Sequence, residues 1–323
     1  TEDQPDESAD PHSESALHAQ VKRHKRESDK HLGTWRTEAR LCYSFKAGEH
    51  WNETEKAELQ ENMRLPVVFN RVDPMVEAVG GSEINNRQQV QYVPRQVGDS
   101  GVNEVLTGAA DYFRDNCDAE DEESDAFMDV VICGVGVTET YLDYVENPEG
   151  MVVTDRRDPL SMRWDPAAKK RNLTDKKWVQ REEWQEVSEI KQKWPEKADD
   201  IAASTSDGWA DEGGEQHDQT LAFLYKKDNT GKDETTGKLR VIHEQWFELE
   251  TYHNLIDPMT GEMVEMLDDK FQVLAPRLKK MGMQLQSVKK QRKKWHQVFV
   301  CGDVVLEHSE VACNESSYKF ITG

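Results

Sequence analysis

The sequence predicts an α+β fold in which long helices come first and antiparallel β-sheet follows. The spacing of apolar side chains changes near Gly134, from about 3.6 residues, typical of amphipathic helices, to two, typical of half-buried strands. Beyond that point, turn-forming residues such as Asn147 and Gly150 separate short alternating segments, as in β-hairpins. The 323 residues suffice for one large domain or two medium ones.

The helical region is predicted to span residues 13–133. Four segments in it repeat apolar side chains every three or four residues, a spacing that places them on one helix face. These segments are residues 13–48, 72–79, 102–116 and 120–133. Residues 90–94 alternate instead and predict a short strand. Ahead of the helices, residues 1–12 are acidic and poor in apolar side chains, so we expect a disordered arm.

The region from residue 134 to 323 is predicted to be rich in β-strands. Its alternating segments are residues 137–145, 151–154, 161–164, 177–184, 220–226, 239–250, 295–300, 304–307 and 318–323. Two segments have helical spacing instead, residues 186–193 and 264–282. Residues 195–218 combine glycine, serine and acidic side chains with few apolar ones, so we expect a mobile loop there.

The composition excludes several classes of protein. A net charge of -22, from 63 acidic and 41 basic side chains, argues against a protein that binds DNA by covering its phosphates with cations. It remains compatible with a surface past which DNA slides. The five cysteines are scattered and form no Cys-x-x-Cys pair, so neither a disulfide framework nor a zinc site is indicated. No apolar segment approaches the ~20 residues that span a bilayer.

Motifs that carry catalysis are not found in the sequence. Gly134 and Gly136 precede a strand, whereas a dinucleotide-binding turn needs a strand before its glycines and a helix after them. No Gly-x-Ser-x-Gly or Walker lysine is present, and the ten histidines form no His-Glu-x-x-His pair. We therefore predict that the chain is not an enzyme and has no catalytic residue, cofactor or metal centre.

A basic run is the strongest positive signal. Eight Lys or Arg residues and no acid lie between Arg277 and His296. Clustered cations beside an aromatic ring bind a phosphate backbone in many proteins. In an acidic chain that assembles, they fit instead the acidic face of a neighbouring copy, where charge complementarity fixes the register. The residues predicted to make one of these two contacts are Lys289, Lys290, Arg292, Lys293, Lys294 and Trp295.

Seven segments, taken in order, carry a resemblance to a known family. They include the Asn70-Arg71 pair after Pro66 and the Trp164-Asp165 pair. The segments are residues 45–51, 64–72, 84–88, 92–94, 126–136, 158–166 and 172–178. Each is common alone, but their order and spacing resemble those of portal proteins from short-tailed, double-stranded-DNA bacteriophages. The resemblance covers about residues 30–185 well and the rest by its general pattern.

The resemblance implies a structural role without catalysis. Portal proteins form a homo-oligomeric ring, commonly a dodecamer, at one capsid vertex of the virion. DNA passes through the ring during packaging and ejection. The implied partners are the terminase motor, tail adaptors and scaffolding proteins, met in the host cytoplasm during assembly; no membrane is implied.

Family members continue into a channel-lining stem, a clip and often a barrel. We find none of these at the end of the sequence, so we expect a wing-like, C-terminally truncated portion of a portal protein. Two other interpretations remain open. The first is an acidic scaffold or adaptor module unrelated to capsids, and the second is an unrecognised nuclease or hydrolase.

Overall fold

In the computed structural model, helices precede antiparallel sheets, which confirms the predicted α+β class. The structure describes residues 12–87, 90–94, 100–145, 148–203, 232–233, 238–256, 263–280, 286–311 and 313–323. The predicted strand at 220–226, residues 1–11 of the predicted arm and residues 204–218 of the predicted loop lie outside this part. Of the predicted loop, Pro195–Lys197 forms a 3-10 turn and Ala198–Ala203 a short helix.

Eight α-helices lie in the described part of the chain. Their bounds are α1 Glu14–Lys46, α2 Glu53–Glu61, α3 Val72–Ile84, α4 Ser100–Asn116, α5 Ala119–Cys133, α6 Val187–Lys193, α7 Ala198–Ala203 and α8 Asp268–Lys280. None of the helices described has the length and apolar content needed to cross a membrane.

Local chemistry explains where the first helices begin. The Ser13 side chain accepts a hydrogen bond from the Ala16 amide and so caps α1. Helix α2 was not predicted because its sequence has no apolar stripe, and in the structure it accordingly buries no residue. Its signal is a capping box, in which the side chains of Asn52 and Glu55 each accept a hydrogen bond from the other's backbone amide.

Two local predictions were wrong. Residues 90–94 belong to neither a helix nor a strand, since no strand in the part described pairs with their backbone. Met263–Leu267 is a strand rather than the start of a helix, because it pairs with residues 252–256 and the helix begins only at Asp268. Here pairing between strands overrides the local helical spacing.

Ten strands form two antiparallel sheets in the described part of the chain. Their bounds are β1 Val135–Asp143, β2 Met151–Arg157, β3 Met162–Trp164, β4 Trp178–Glu186, β5 Lys232–Asp233, β6 Lys238–Ile256, β7 Met263–Leu267, β8 Gln286–Cys301, β9 Val304–Glu310 and β10 Tyr318–Thr322. The smaller sheet has the order β10-β1-β2. The larger has the order β3-β4-β6-β8-β9, with β5 and β7 also paired to β6.

The core consists of three apolar clusters that connect the helices to the sheets. In the first, Leu17 and Val21 of α1 pack on β4, β6, β8 and β9, and both are 1% exposed. The second lies between the two sheets and includes Val137 and Tyr318. The third packs α6 and α7 on the start of β6, the end of β8 and the start of β9. The two sheets therefore share a core that α1 covers.

Candidate functional site

The predicted basic run lies in the outer half of strand β8. Strand β8 pairs along its whole length with β6, from Gln286 opposite Ile256 to Cys301 opposite Val241. On its other side, β9 pairs only with residues 296–301. Among the residues described, 286–294 of β8 therefore form an exposed edge of the larger sheet.

Strand geometry divides the basic run between two faces. Successive side chains of a strand point to opposite sides of the sheet. Lys290, Arg292 and Lys294 therefore share one face, whereas Lys289 and Lys293 lie on the opposite face. The structure does not bring the five cations together as the single patch that their closeness in sequence suggested.

Carboxylates neutralise two cations of the first face. The Arg292 Nε donates a hydrogen bond of 2.7 Å to Glu250, and the guanidinium lies 5.3 Å from the ring centroid of Tyr252. The Lys294 ammonium lies 2.6 Å from a carboxylate oxygen of Glu310. These hydrogen bonds raise the pKa of both Arg292 and Lys294. On this face only Lys290 is exposed without an ion pair to a described carboxylate.

The second face presents its lysines but not its tryptophan. Trp295 is 5% exposed and packs on Phe247, with ring centroids 5.4 Å apart, so its ring is not available to stack on a base. The Lys293 ammonium lies 4.2 Å from the ring centroid of Phe247. Lys289 is exposed, and its ammonium is 4.0 Å from Asp268. Lysines on an open strand edge also discourage pairing with a foreign strand.

A second candidate surface consists of apolar side chains in residues 63–113, which we call the exposed apolar segment. Of 28 large apolar residues exposed in the described part of the chain, 16 lie here. They are Met63, Leu65, Val67, Phe69, Val72, Met75, Val79, Ile84, Val90, Tyr92, Val93, Val102, Val105, Leu106, Tyr112 and Phe113. Soluble monomers rarely expose large apolar patches, so this concentration of exposed apolar side chains in one stretch of the chain makes the stretch a candidate contact surface.

Helix α4 shows the clearest part of this segment. Val102, Val105 and Leu106 have the spacing that places side chains on one helix face, and they are 62%, 71% and 44% exposed. An amphipathic helix normally buries that stripe. From the sequence alone, such a stripe predicts packing against the rest of the chain. Periodicity shows only that one face of the helix is apolar, and it does not show which surface covers that face.

A buried ion network joins the two sheets. The Glu139 carboxylate of β1 accepts hydrogen bonds from Arg157 of β2, at 2.6 Å, and from Arg181 of β4, at 2.7 Å. His243 of β6 lies beside them, with Nδ1 2.6 Å from the hydroxyl oxygen of Tyr318 in β10. Burial lowers the pKa of His243 to about 3, and the nearby Arg181 guanidinium adds to the effect. The buried Glu139 carboxylate is therefore paired with cations from both sheets, so it is not an isolated buried charge.

A cluster of three histidines has no counterpart among the motifs of the sequence. His12 precedes α1, His296 is in β8 and His308 is in β9; one ring nitrogen of each lies within 4.8 Å of those of the other two. Ring centroids are 5.1 to 5.7 Å apart, and Trp246 stacks on both His296 and His308. The prediction of no metal centre rested on local spacing, and 284 residues separate the first two histidines.

Comparison with known protein families identifies a match that covers most of the chain. A family model described as phage P22-like portal protein matches residues 21–322. This match extends past the segments that carried the resemblance and includes both sheets and the basic run. No curated protein sequence matches the chain.

Proposed function

Because the chain belongs to the family of phage P22-like portal proteins, we propose that it is a structural subunit of the portal ring at one vertex of a phage capsid. The family match over residues 21–322 is the observation that carries this proposal. In this role the ring is a conduit for genome packaging and ejection. Packaging motor, tail and scaffolding proteins dock on it, from assembly in the host cytoplasm to the finished virion.

A ring requires each subunit to contact its neighbours, and the exposed apolar segment supports such a contact. Its side chains lie on α3 and α4, on the chain that precedes α3, and on residues 90–93 between the two helices. Both helices pack on α5, so the segment belongs to the folded chain. Family membership makes a second copy the fitting occupant. Burying these side chains is favourable by roughly 25 cal/mol for each Å² removed from water.

The exposed lysines of β8 fit the same arrangement. Each neighbouring copy carries a net charge of -22, so acidic surfaces are available to Lys289, Lys290 and Lys293. We assign these three lysines to a contact between copies. Exposed ion pairs contribute only ~0 to 1 kcal/mol each, so they orient neighbours while apolar burial holds them. An acidic ring also lets DNA pass without a tight grip on its phosphates.

The contact through the exposed apolar segment predicts salt-resistant self-association of the full chain. We expect sedimentation velocity to show association that rises with concentration and persists in high salt, because salt screens ion pairs but not apolar burial. The double variant Phe69→Ser/Val105→Ser changes side chains that are 82% and 71% exposed, so the fold should persist. Association should weaken by at least about tenfold, given ~1.5 to 3 kcal/mol for each buried apolar side chain.

The matched control is Leu142→Ser/Val145→Ser, which removes side chains that are 50% and 91% exposed outside the segment. This variant should associate like the unaltered chain. A chain that stays monomeric at every concentration, or associates equally in both variants, would count against the contact. Binding to one different protein without self-association would instead support the scaffold or adaptor interpretation.

A further inference from the structure

The three-histidine cluster formed by His12, His296 and His308 has the composition of a metal site. It joins a residue just before α1 to two neighbouring strands, β8 and β9. Neutral imidazole is a ligand that Zn²⁺ and related divalent transition metals prefer. We propose that this cluster binds a divalent transition-metal ion such as Zn²⁺.

Two ring nitrogens support a ligand role. His296 is 7% exposed, and its Nδ1 is buried with no hydrogen-bond partner in the described part of the chain. The Nε2 of His308 is likewise buried without a described partner. A buried polar atom without a partner costs ~1 to 3 kcal/mol, and coordination of an ion through these two nitrogens would remove that cost.

The distances between the three nitrogens are close to those between the ligand atoms of a bound metal ion. The three ligand atoms lie within 4.8 Å of one another. At that upper limit an ion at their centre would lie about 2.8 Å from each nitrogen, whereas a Zn–N bond is about 2.0 to 2.1 Å. Each nitrogen therefore needs to move inward by less than about 0.8 Å, and the stacked rings must rotate so that their in-plane lone pairs converge on the ion.

A carboxylate is placed to complete the site. Glu248 of β6 is on the same face of the sheet as His296, and its Oε2 is 3.8 Å from the Nε2 of His12. The indole Nε1 of Trp246 donates to Oε1 of the same carboxylate, at 3.1 Å. Such a hydrogen bond orients a carboxylate for coordination. Three imidazoles and one carboxylate make a tetrahedral set suited to Zn²⁺.

The ion would fasten the start of α1 to the larger sheet. His12 immediately precedes Ser13, the residue that caps α1, while His296 and His308 belong to the β8–β9 hairpin. A bound ion therefore ties the residue that precedes α1 to the β8–β9 hairpin. Because an ion that binds only the folded state stabilises it, metal should raise the melting temperature.

The test uses the full chain without appended histidines, stripped of metal with a chelator. Isothermal titration calorimetry with Zn²⁺ should give one ion per chain, and Co²⁺ should give the visible absorption of a tetrahedral site. His308→Gln, His12→Gln and His296→Gln should each weaken Zn²⁺ binding by at least about tenfold, as loss of a ligand requires. Zn²⁺ should raise the melting temperature of the unaltered chain but not of His308→Gln.

The matched control is His31→Gln, which changes an exposed histidine in α1. It should bind Zn²⁺ like the unaltered chain. His308→Gln and His12→Gln replace partly exposed side chains, so they remain informative if the buried His296→Gln fails to fold. Absence of Zn²⁺ binding to the unaltered chain, or binding that survives in both His308→Gln and His12→Gln, would overturn the proposal.

Discussion

At the scale of single residues, His243 shows how the contact between sheets controls ionisation. Its ring stacks on Phe299, with centroids 4.2 Å apart, and Nδ1 is 3.9 Å from a Glu139 oxygen. Burial, then the cations Arg181, Lys193 and Arg157, lower the pKa from 6.5 to about 3. Between these two pKa values the unfolded chain binds a proton that the folded chain does not. The free energy of unfolding therefore falls as pH decreases through this window.

We predict that His243→Gln weakens this pH dependence. In the unaltered chain the residue contributes a slope approaching about 1.4 kcal/mol per pH unit below pH 6.5, and the variant lacks that contribution. Urea denaturation between about pH 6.5 and 5 measures how the free energy of unfolding changes with pH. This pH range lies above the one in which ordinary carboxylates titrate. His31→Gln, at an exposed position, serves as control. An unchanged slope in His243→Gln would show that the folded state binds this proton readily.

At the scale of elements, the approach of α5 to β1 depends on one glycine. A Cβ atom added to Gly136 would lie 2.1 Å from the carbonyl oxygen of Ala126 and 2.9 Å from a methyl carbon of Val130. Because the first contact is with backbone, the helix and strand would have to separate. Gly136 was weighed in the sequence as part of a phosphate-binding turn, and its role in the structure is close packing.

We predict that Gly136→Ala destabilises the fold by about 1 to 3 kcal/mol, the usual cost of overpacking. The control is Gly33→Ala in the interior of α1, where an added Cβ meets nothing within 4 Å. That change should stabilise the chain by about 0.5 to 1 kcal/mol, because alanine has the higher helix propensity. Urea denaturation of both variants provides the comparison. Equal stabilities for the two would contradict the close approach of α5 and β1.

At the scale of the whole molecule, the net charge and the exposed lysines of β8 predict how strongly the chain binds DNA. We predict weak, strongly salt-dependent binding to duplex DNA, since the net charge is -22 and the described part of the β8 edge presents only three exposed lysines. Lys289→Gln/Lys290→Gln/Lys293→Gln should weaken what binding remains. It should also reduce the slope of log K against log salt by up to about 2.7, or about 0.9 for each phosphate that a lysine no longer neutralises.

Fluorescence anisotropy with a short duplex at several salt concentrations measures both quantities. The control removes three other clustered, exposed cations of the described chain, by Lys169→Gln/Lys170→Gln/Arg171→Gln. The control should keep the slope of the unaltered chain. Tight or sequence-selective binding that survives the β8 substitutions would contradict the prediction that the residual DNA affinity comes from these exposed lysines.

The sequence by itself determined the class and the order of the elements. Periodicity is local, so the long helix from Glu14 and the hairpin of β8 and β9 follow from spacing and turns alone. The order of short segments likewise sufficed for the family resemblance, which the match over residues 21–322 confirms. The errors occurred where local spacing and long-range pairing disagree, as in β7.

Only the tertiary structure decided what these elements place together. Alternation along β8 separates Lys289 and Lys293 from the other cations, and carboxylates from β6 and β9 neutralise Arg292 and Lys294. Folding likewise brings His12 to His296 and His308. Side chains that are distant in sequence meet through strand pairing and core packing, and these contacts leave no periodic signal in the chain itself.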